Sequence, residues 1–143
     1  MGEVVRPLYD YDVISEDWGE VPKSLAEAAD GESILRRERL YKASDVTGFD
    51  HDDEQIGVLY LEERRSIETG EVVCRAVFRF EDDQDSLTAS GALPETSGEA
   101  GASVGSGRLG IVGGSGKFKR ARGQTTVEVM NPKRWSADDS PSP

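Results

Sequence analysis

The sequence predicts an all-β domain, an antiparallel barrel or sandwich, and three observations predict it. Strand-like runs follow one another at short spacing, with turn residues between them. One run, Val72 to Phe80, alternates without a break: Val72, Cys74, Ala76, Phe78 and Phe80 share an apolar face against Val73, Arg75, Val77 and Arg79. The third is the stretch Leu109–Gln124. A short apolar strand there runs into Gly113, Gly114 and Gly116, a lone aromatic follows at Phe118, and an Ala121–Gly123 step leads into a second alternating strand. Glycine permits tight reversal and close backbone approach, so the chain can turn and come straight back.

Taken in order, Val4 to Ile14 mixes apolar and β-favouring residues and is read as a strand. Pro22 to Ala29 is read as one short helix, because Ser24 and Glu27 have capping-box spacing and Gly31 sits where a C-terminal cap would. Ser33 to Tyr41 is a strand despite its charges, and Ser44 to Glu54 its turn. Gln55 to Ile67 is a long strand, and Glu68-Thr69-Gly70-Glu71 a tight hairpin turn into Val72–Phe80. Glu81 to Asp85 is an acidic turn, and Ser86 to Gly91 a short strand. The segment from 93–94 to 107, rich in Gly, Ser, Ala and Glu, is a mobile lid or simply disordered. Arg108 to Val112 and Arg122 to Met130 are the last strands. The single domain is expected to span 1–135, with a disordered tail from Ser136 to Pro143.

Composition excludes several classes. At 143 residues there is chain enough for one proper core. The net charge of -11 disfavours phosphate-backbone partners, so no nucleic acid is expected. No apolar run is long enough to cross a membrane, and no basic segment followed by an apolar one marks a signal peptide. Cys74 is the only cysteine, which fits a reducing, cytoplasmic setting.

Motif matches fail on inspection. Gly105, Gly107 and Gly110 match a dinucleotide fingerprint, but a loop precedes them and a strand follows, so no nucleotide cofactor is expected. A phosphate loop ending at Gly116-Lys117 would need glycine at 111 and a hydroxyl residue at 118, where the chain has Ile111 and Phe118. Asp50-His51-Asp52-Asp53-Glu54 lacks the glycine of a calcium loop and reads as a solvated turn, so no metal is expected. Lys117, Lys119, Arg120 and Arg122 balance the acidic turns or meet an anionic part of a ligand at a barrel mouth. In the long strand Ile56, Val58, Tyr60 and Glu62 oppose Gly57, Leu59, Leu61 and Glu63. Both sets carry apolar residues, which leaves open which lines the interior and which a subunit interface.

The strand–turn–strand pattern of Leu109–Phe118 with Ala121–Gln124 resembles that of the allene oxide cyclase and dirigent-protein barrels. Asp85–Gly91 and Gln55-Ile56-Gly57 support the resemblance, which covers Ser33 to Met130. It implies an antiparallel eight-stranded, calycin-like β-barrel, here with one short N-terminal helix. The branch it is most similar to is that of the small bacterial cyclases, Diels-Alderases of polyketide antibiotic biosynthesis. These close linear polyenes bearing a tetronate or tetramate by intramolecular [4+2] cycloaddition, without cofactor. The resemblance thus implies a cyclase with an apolar polyene substrate, acting as a homodimer. The alternatives are a non-catalytic small-molecule binding barrel and a dirigent-like stereochemical guide.

In that branch the aromatic after the glycine turn and the central-strand side chains line the lumen, which carries over to Phe118, Cys74 and Phe78. Ala76 and Phe80, from the same face as Phe78, and Met130 from the last strand complete the expected lumen. Cycloaddition needs no nucleophile; it needs diene and dienophile held together, with a polar group on the dienophile carbonyl. Tyr60, Glu62 and Tyr41 are the expected catalytic donors, Glu62 as an acid kept neutral by an apolar lumen.

Overall fold

In the computed structural model, residues 12–17, 29–66, 68–80, 85–94, 106–129 and 132–139 are described. They form eight strands: β1 Val13–Asp17, β2 Ser33–Ala43, β3 His51–Ser66, β4 Glu71–Phe80, β5 Ser86–Pro94, β6 Gly107–Ser115, β7 Gly123–Val129 and β8 Lys133–Asp139. Each pairs antiparallel with the next, and β8 returns to β1 through Val13↔Trp135, closing the barrel. Closure removes both free sheet edges, which would otherwise present unpaired backbone groups.

Alternation places the core. The inward set of β4 is Val72, Cys74, Ala76, Phe78 and Phe80, and all five are buried. On β5 and β6, Leu87, Ala89, Leu93 and Leu109 face them. Register carries the inward face to neighbouring strands, because directly paired residues share a face. Cys74 pairs with Glu63, Ala76 with Leu61, Phe78 with Leu59 and Phe80 with Gly57. The inward set of β3 is therefore Gly57, Leu59, Leu61 and Glu63, and Tyr60 and Glu62 lie outside.

Several boundaries differ from the sequence reading. The first run begins its strand at Val13, and residues 4–11 lie outside the described residues. So do residues 22–28, where the helix was expected; Ala29 is not helical, and Gly31 sits in a turn at φ 77°. β3 starts at His51, so Asp52, Asp53 and Glu54 belong to a strand rather than a turn. It reaches that far because β2 is irregular between Leu40 and Ala43, which lets Ala43 pair with His51. β5 runs on to Pro94, which pairs with Glu71. The segment 95–105 lies outside the described residues.

The largest correction is β8. Lys133–Asp139 is charged and has no β-branched residue, and the sequence predicts a disordered tail from Ser136 onward. It is a strand because it closes the sheet, pairing with β7 on one side and β1 on the other. Tertiary pairing outweighs intrinsic strand preference here.

β1, β3, β5 and β7 finish at one end of the barrel, and β2, β4, β6 and β8 at the other. At this second end a 3-10 turn, Gly116–Phe118, follows β6 and inserts Phe118, which is fully buried. Its ring meets Phe80 at 5.5 Å between centroids. Gly114 makes this plug fit: a Cβ there would stand 2.6 Å from the Phe118 carbonyl oxygen and 2.6 Å from that of Ser86. Both obstacles are backbone, so the strands themselves would have to part. Gly114→Ala is expected to destabilise the fold by roughly 1–3 kcal/mol in urea denaturation. Gly113→Ala, with nothing within 4 Å of its added carbon, is the control.

Candidate functional site in the barrel lumen

The lumen is divided. The second end is apolar, lined by Leu40, Phe80, Leu87 and Phe118. Toward the first end, alternation turns charged side chains inward. β2 contributes Arg36 and Glu38 between Ile34 and Leu40, β3 contributes Glu63, β8 contributes Lys133, and β1 contributes Ser15; all are buried.

These groups form two pairs. Arg36 Nε donates to Glu63 Oε1 at 2.6 Å. Lys133 Nζ donates to Glu38 Oε2 at 2.5 Å, and Ser15 Oγ donates to Glu38 Oε1 at 2.6 Å. Trp135 Nε1 in turn donates to Ser15 Oγ at 2.8 Å. Both oxygens of Glu38 are thus held, and the Ser15 hydroxyl relays the tryptophan N–H onto the carboxylate. Buried charges persist only when paired and hydrogen-bonded in this way. One donor is left over: Arg36 Nη2 is buried and has no hydrogen-bond partner among the described residues.

Cys74 lies on the same stretch of wall, opposite Glu63 on β3. Its thiol is pushed up to about 12, chiefly by burial and then by Glu63, with Lys133 acting in the opposite sense. It stays protonated at neutral pH and is a poor nucleophile. Above the charged groups, Phe78 of β4 and Trp135 of β8 come from opposite walls. They meet edge to face at 5.0 Å between centroids.

Of the residues singled out from sequence, Cys74, Ala76, Phe78, Phe80 and Phe118 are buried together in the barrel core. Met130 lies outside the described residues. The inward face of β7 is Thr125 and Val127 rather than Gln124, Thr126 and Glu128. Tyr60, Glu62 and Tyr41 are on the outside. Tyr60 is 45% exposed, between Arg37 and Val77 of the flanking strands. Glu62 pairs across from Arg75 and so does not stand in an apolar lumen. Tyr41 stacks on His51 at 4.1 Å.

His51 is a bridge on the outer wall. Its Nε2 lies 2.9 Å from Glu16 Oε2, and its Nδ1 lies 2.7 Å from the Asp52 carbonyl oxygen. Burial alone would lower its pKa, but the Asp52 carbonyl and the Glu16 carboxylate outweigh that and raise it. Lys119, Arg120 and Arg122 are exposed at the second end, away from the buried pairs. Among the described residues no three His, Cys, Asp or Glu side chains converge to hold a metal ion. Nor is any helix there long and apolar enough to cross a membrane.

Glu63 carries no mark of its inward placement within β3 itself, because both faces of that strand hold apolar residues. The signal was the hairpin through Gly70. With a four-residue connection, Ser66 pairs with Glu71, and the apolar face of β4 then selects Glu63 rather than Glu62. A connection one residue longer or shorter would have selected the other face.

The fold and lumen define a closed up-and-down β-barrel that buries a charged, hydrogen-bonded cluster beside aromatic side chains. No protein-family model matches the sequence, and no curated protein matches it. Among solved structures it is similar to a pyocyanin demethylase, with a TM-score of 0.65 over 90% of this chain and 98% of that chain, at 14% sequence identity. The likeness is one of fold.

Proposed function

We propose that this barrel is a cofactor-independent cyclase that closes a linear, polyketide-derived polyene by intramolecular [4+2] cycloaddition within its lumen. The observation that carries the reading is the combination of aromatic walls with one cluster of buried donors. Phe78, Phe80, Phe118 and Trp135 offer shape to a folded polyene; Arg36 and Lys133 offer polarity. Holding diene and dienophile in contact supplies the entropic part of the acceleration, and a donor fixed in a low-dielectric interior adds electrostatic stabilisation without reorganisation. Cys74, protonated at neutral pH, suits chemistry that needs no nucleophile. The pyocyanin demethylase, by its name, acts on pyocyanin, which supports a barrel of this shape working on a small molecule.

The second reading is a non-catalytic binding barrel, favoured by the pairing of the buried charges with one another, Arg36 with Glu63 and Lys133 with Glu38. Purified protein incubated with a linear polyene–tetronate separates the two. Loss of diene absorbance with a product of unchanged mass is expected for the cyclase. Saturable binding without conversion identifies the binding barrel, and conversion only with an added oxidase identifies a dirigent-like guide.

A further inference from the structure

We propose that the outer wall formed by β2, β3 and β4 is a docking surface for an acidic amphipathic helix of a partner protein. The wall lies outside the lumen, and its role does not rest on the reaction proposed there. The alternation that sends Arg36, Glu63 and Cys74 inward sends a different set out. Register aligns that set in rows across the three strands: Arg39–Val58–Arg79, Arg37–Tyr60–Val77, Leu35–Glu62–Arg75 and Ser33–Arg64–Val73. Arg37 and Arg39 on β2 and Arg75 and Arg79 on β4 thus flank an apolar rib, Val58 and Tyr60, on β3. Leu35, Tyr60 and Val73 are 68%, 45% and 54% exposed, large apolar side chains gathered on one wall that the barrel itself leaves uncovered.

Charge and dimensions select the occupant. The four rows hold Arg37, Arg39, Arg64, Arg75 and Arg79 against one carboxylate, Glu62, a charge of +4 on a chain of -11, so the remaining residues carry -15. A partner must bring carboxylates to the arginines and an apolar stripe to Val58 and Tyr60. Arginine suits this task, because its planar fork pairs a carboxylate through two parallel hydrogen bonds. β2 and β4 stand two strand spacings apart, roughly 9.5 Å, which matches the width of an α-helix with its side chains, about 10–12 Å. A helix laid along β3 sets its apolar stripe on the rib and a line of Asp or Glu on each rank of arginines. A second copy of the chain, docked about a two-fold axis, would instead bring one arginine-rich wall against another. A lipid bilayer or a long polyanion is wider than this strip and would also meet the excess carboxylates on the rest of the chain.

The test uses the full chain and a fluorescein-labelled, hydrocarbon-stapled peptide of about 18 residues, long enough as a helix to cover the four rows. It carries leucines at i, i+3, i+4 and i+7 and glutamates on both sides of that stripe. Fluorescence anisotropy is expected to show saturable binding that weakens as salt is raised. The same peptide with glutamine for every glutamate, or with its leucines scrambled off the stripe, should bind about tenfold more weakly. Arg75→Gln with Arg79→Gln, and separately Tyr60→Ser, should each weaken binding by about tenfold while leaving the barrel folded, because all three side chains are exposed. Arg120→Gln with Arg122→Gln alters exposed cations at the second end and should leave binding as in the parent. No binding of the peptide, or binding indifferent to Arg75, Arg79 and Tyr60, overturns the docking surface. Tighter binding of phosphatidylserine–phosphatidylcholine vesicles or of a dT oligonucleotide, lost in the same variants, overturns the helix as its occupant. So does sedimentation showing that these arginines hold two copies of the chain together. Each result reads the wall alone, whether or not the lumen converts the polyene–tetronate.

Discussion

Glu38→Leu is expected to destabilise the barrel by about 3–5 kcal/mol, the usual consequence of leaving one member of a buried ion pair alone. Glu38 is fully buried and accepts from Lys133 and Ser15. Without it the Lys133 ammonium has no counter-charge, and the Ser15 hydroxyl loses its acceptor. Lys133→Met should cost a similar amount, from the opposite side, because it strands a carboxylate. The double variant Glu38→Leu/Lys133→Met should recover most of the loss, since well-packed apolar pairs often equal or better a buried ion pair. Urea denaturation of the three variants and the parent completes the cycle. A double variant no more stable than the singles would mean that the pair does more than neutralise itself, through Ser15 and Trp135.

Trp135→Ala is the second large effect, expected at about 3–5 kcal/mol from the cavity and the lost burial. The side chain fills the lumen between opposite walls, touching Phe78, and its strand closes the barrel. Trp135→Phe preserves the edge-to-face contact but removes the N–H that reaches Ser15, and should cost only about 0.5–1.5 kcal/mol plus the smaller ring. Thermal unfolding of the two variants separates filling from hydrogen bonding. A Trp135→Ala protein as stable as the parent would mean that the walls close over the gap.

Both experiments act on residues that sequence reading passed over, and the reason is physical. Periodicity reports which residues alternate, and it reports a face only where one side is clearly apolar. Val72–Phe80 met that condition, so Cys74, Ala76, Phe78 and Phe80 were legible as interior. β2 did not: Ile34, Arg36, Glu38 and Leu40 alternate with Leu35, Arg37, Arg39 and Tyr41, and neither set is apolar throughout. β3 offered two mixed faces, and the reading that favoured Tyr60 and Glu62 took the wrong one. The interior of this barrel is itself partly charged, so the usual rule that polar residues point outward misassigns it.

By itself the sequence determined the all-β class, the glycine-rich turn that seats Phe118, and the inward face of the central strand. Those features depend on local signals: side-chain alternation and glycine where backbone must approach backbone. Only the tertiary structure decided the register of β3, the strand nature of Lys133–Asp139 and the charged character of one half of the lumen. Those depend on pairings between residues far apart in the chain. Lys133 and Glu38 compensate each other only when β8 closes on β1, and neither carries a mark of that partnership in its own neighbourhood.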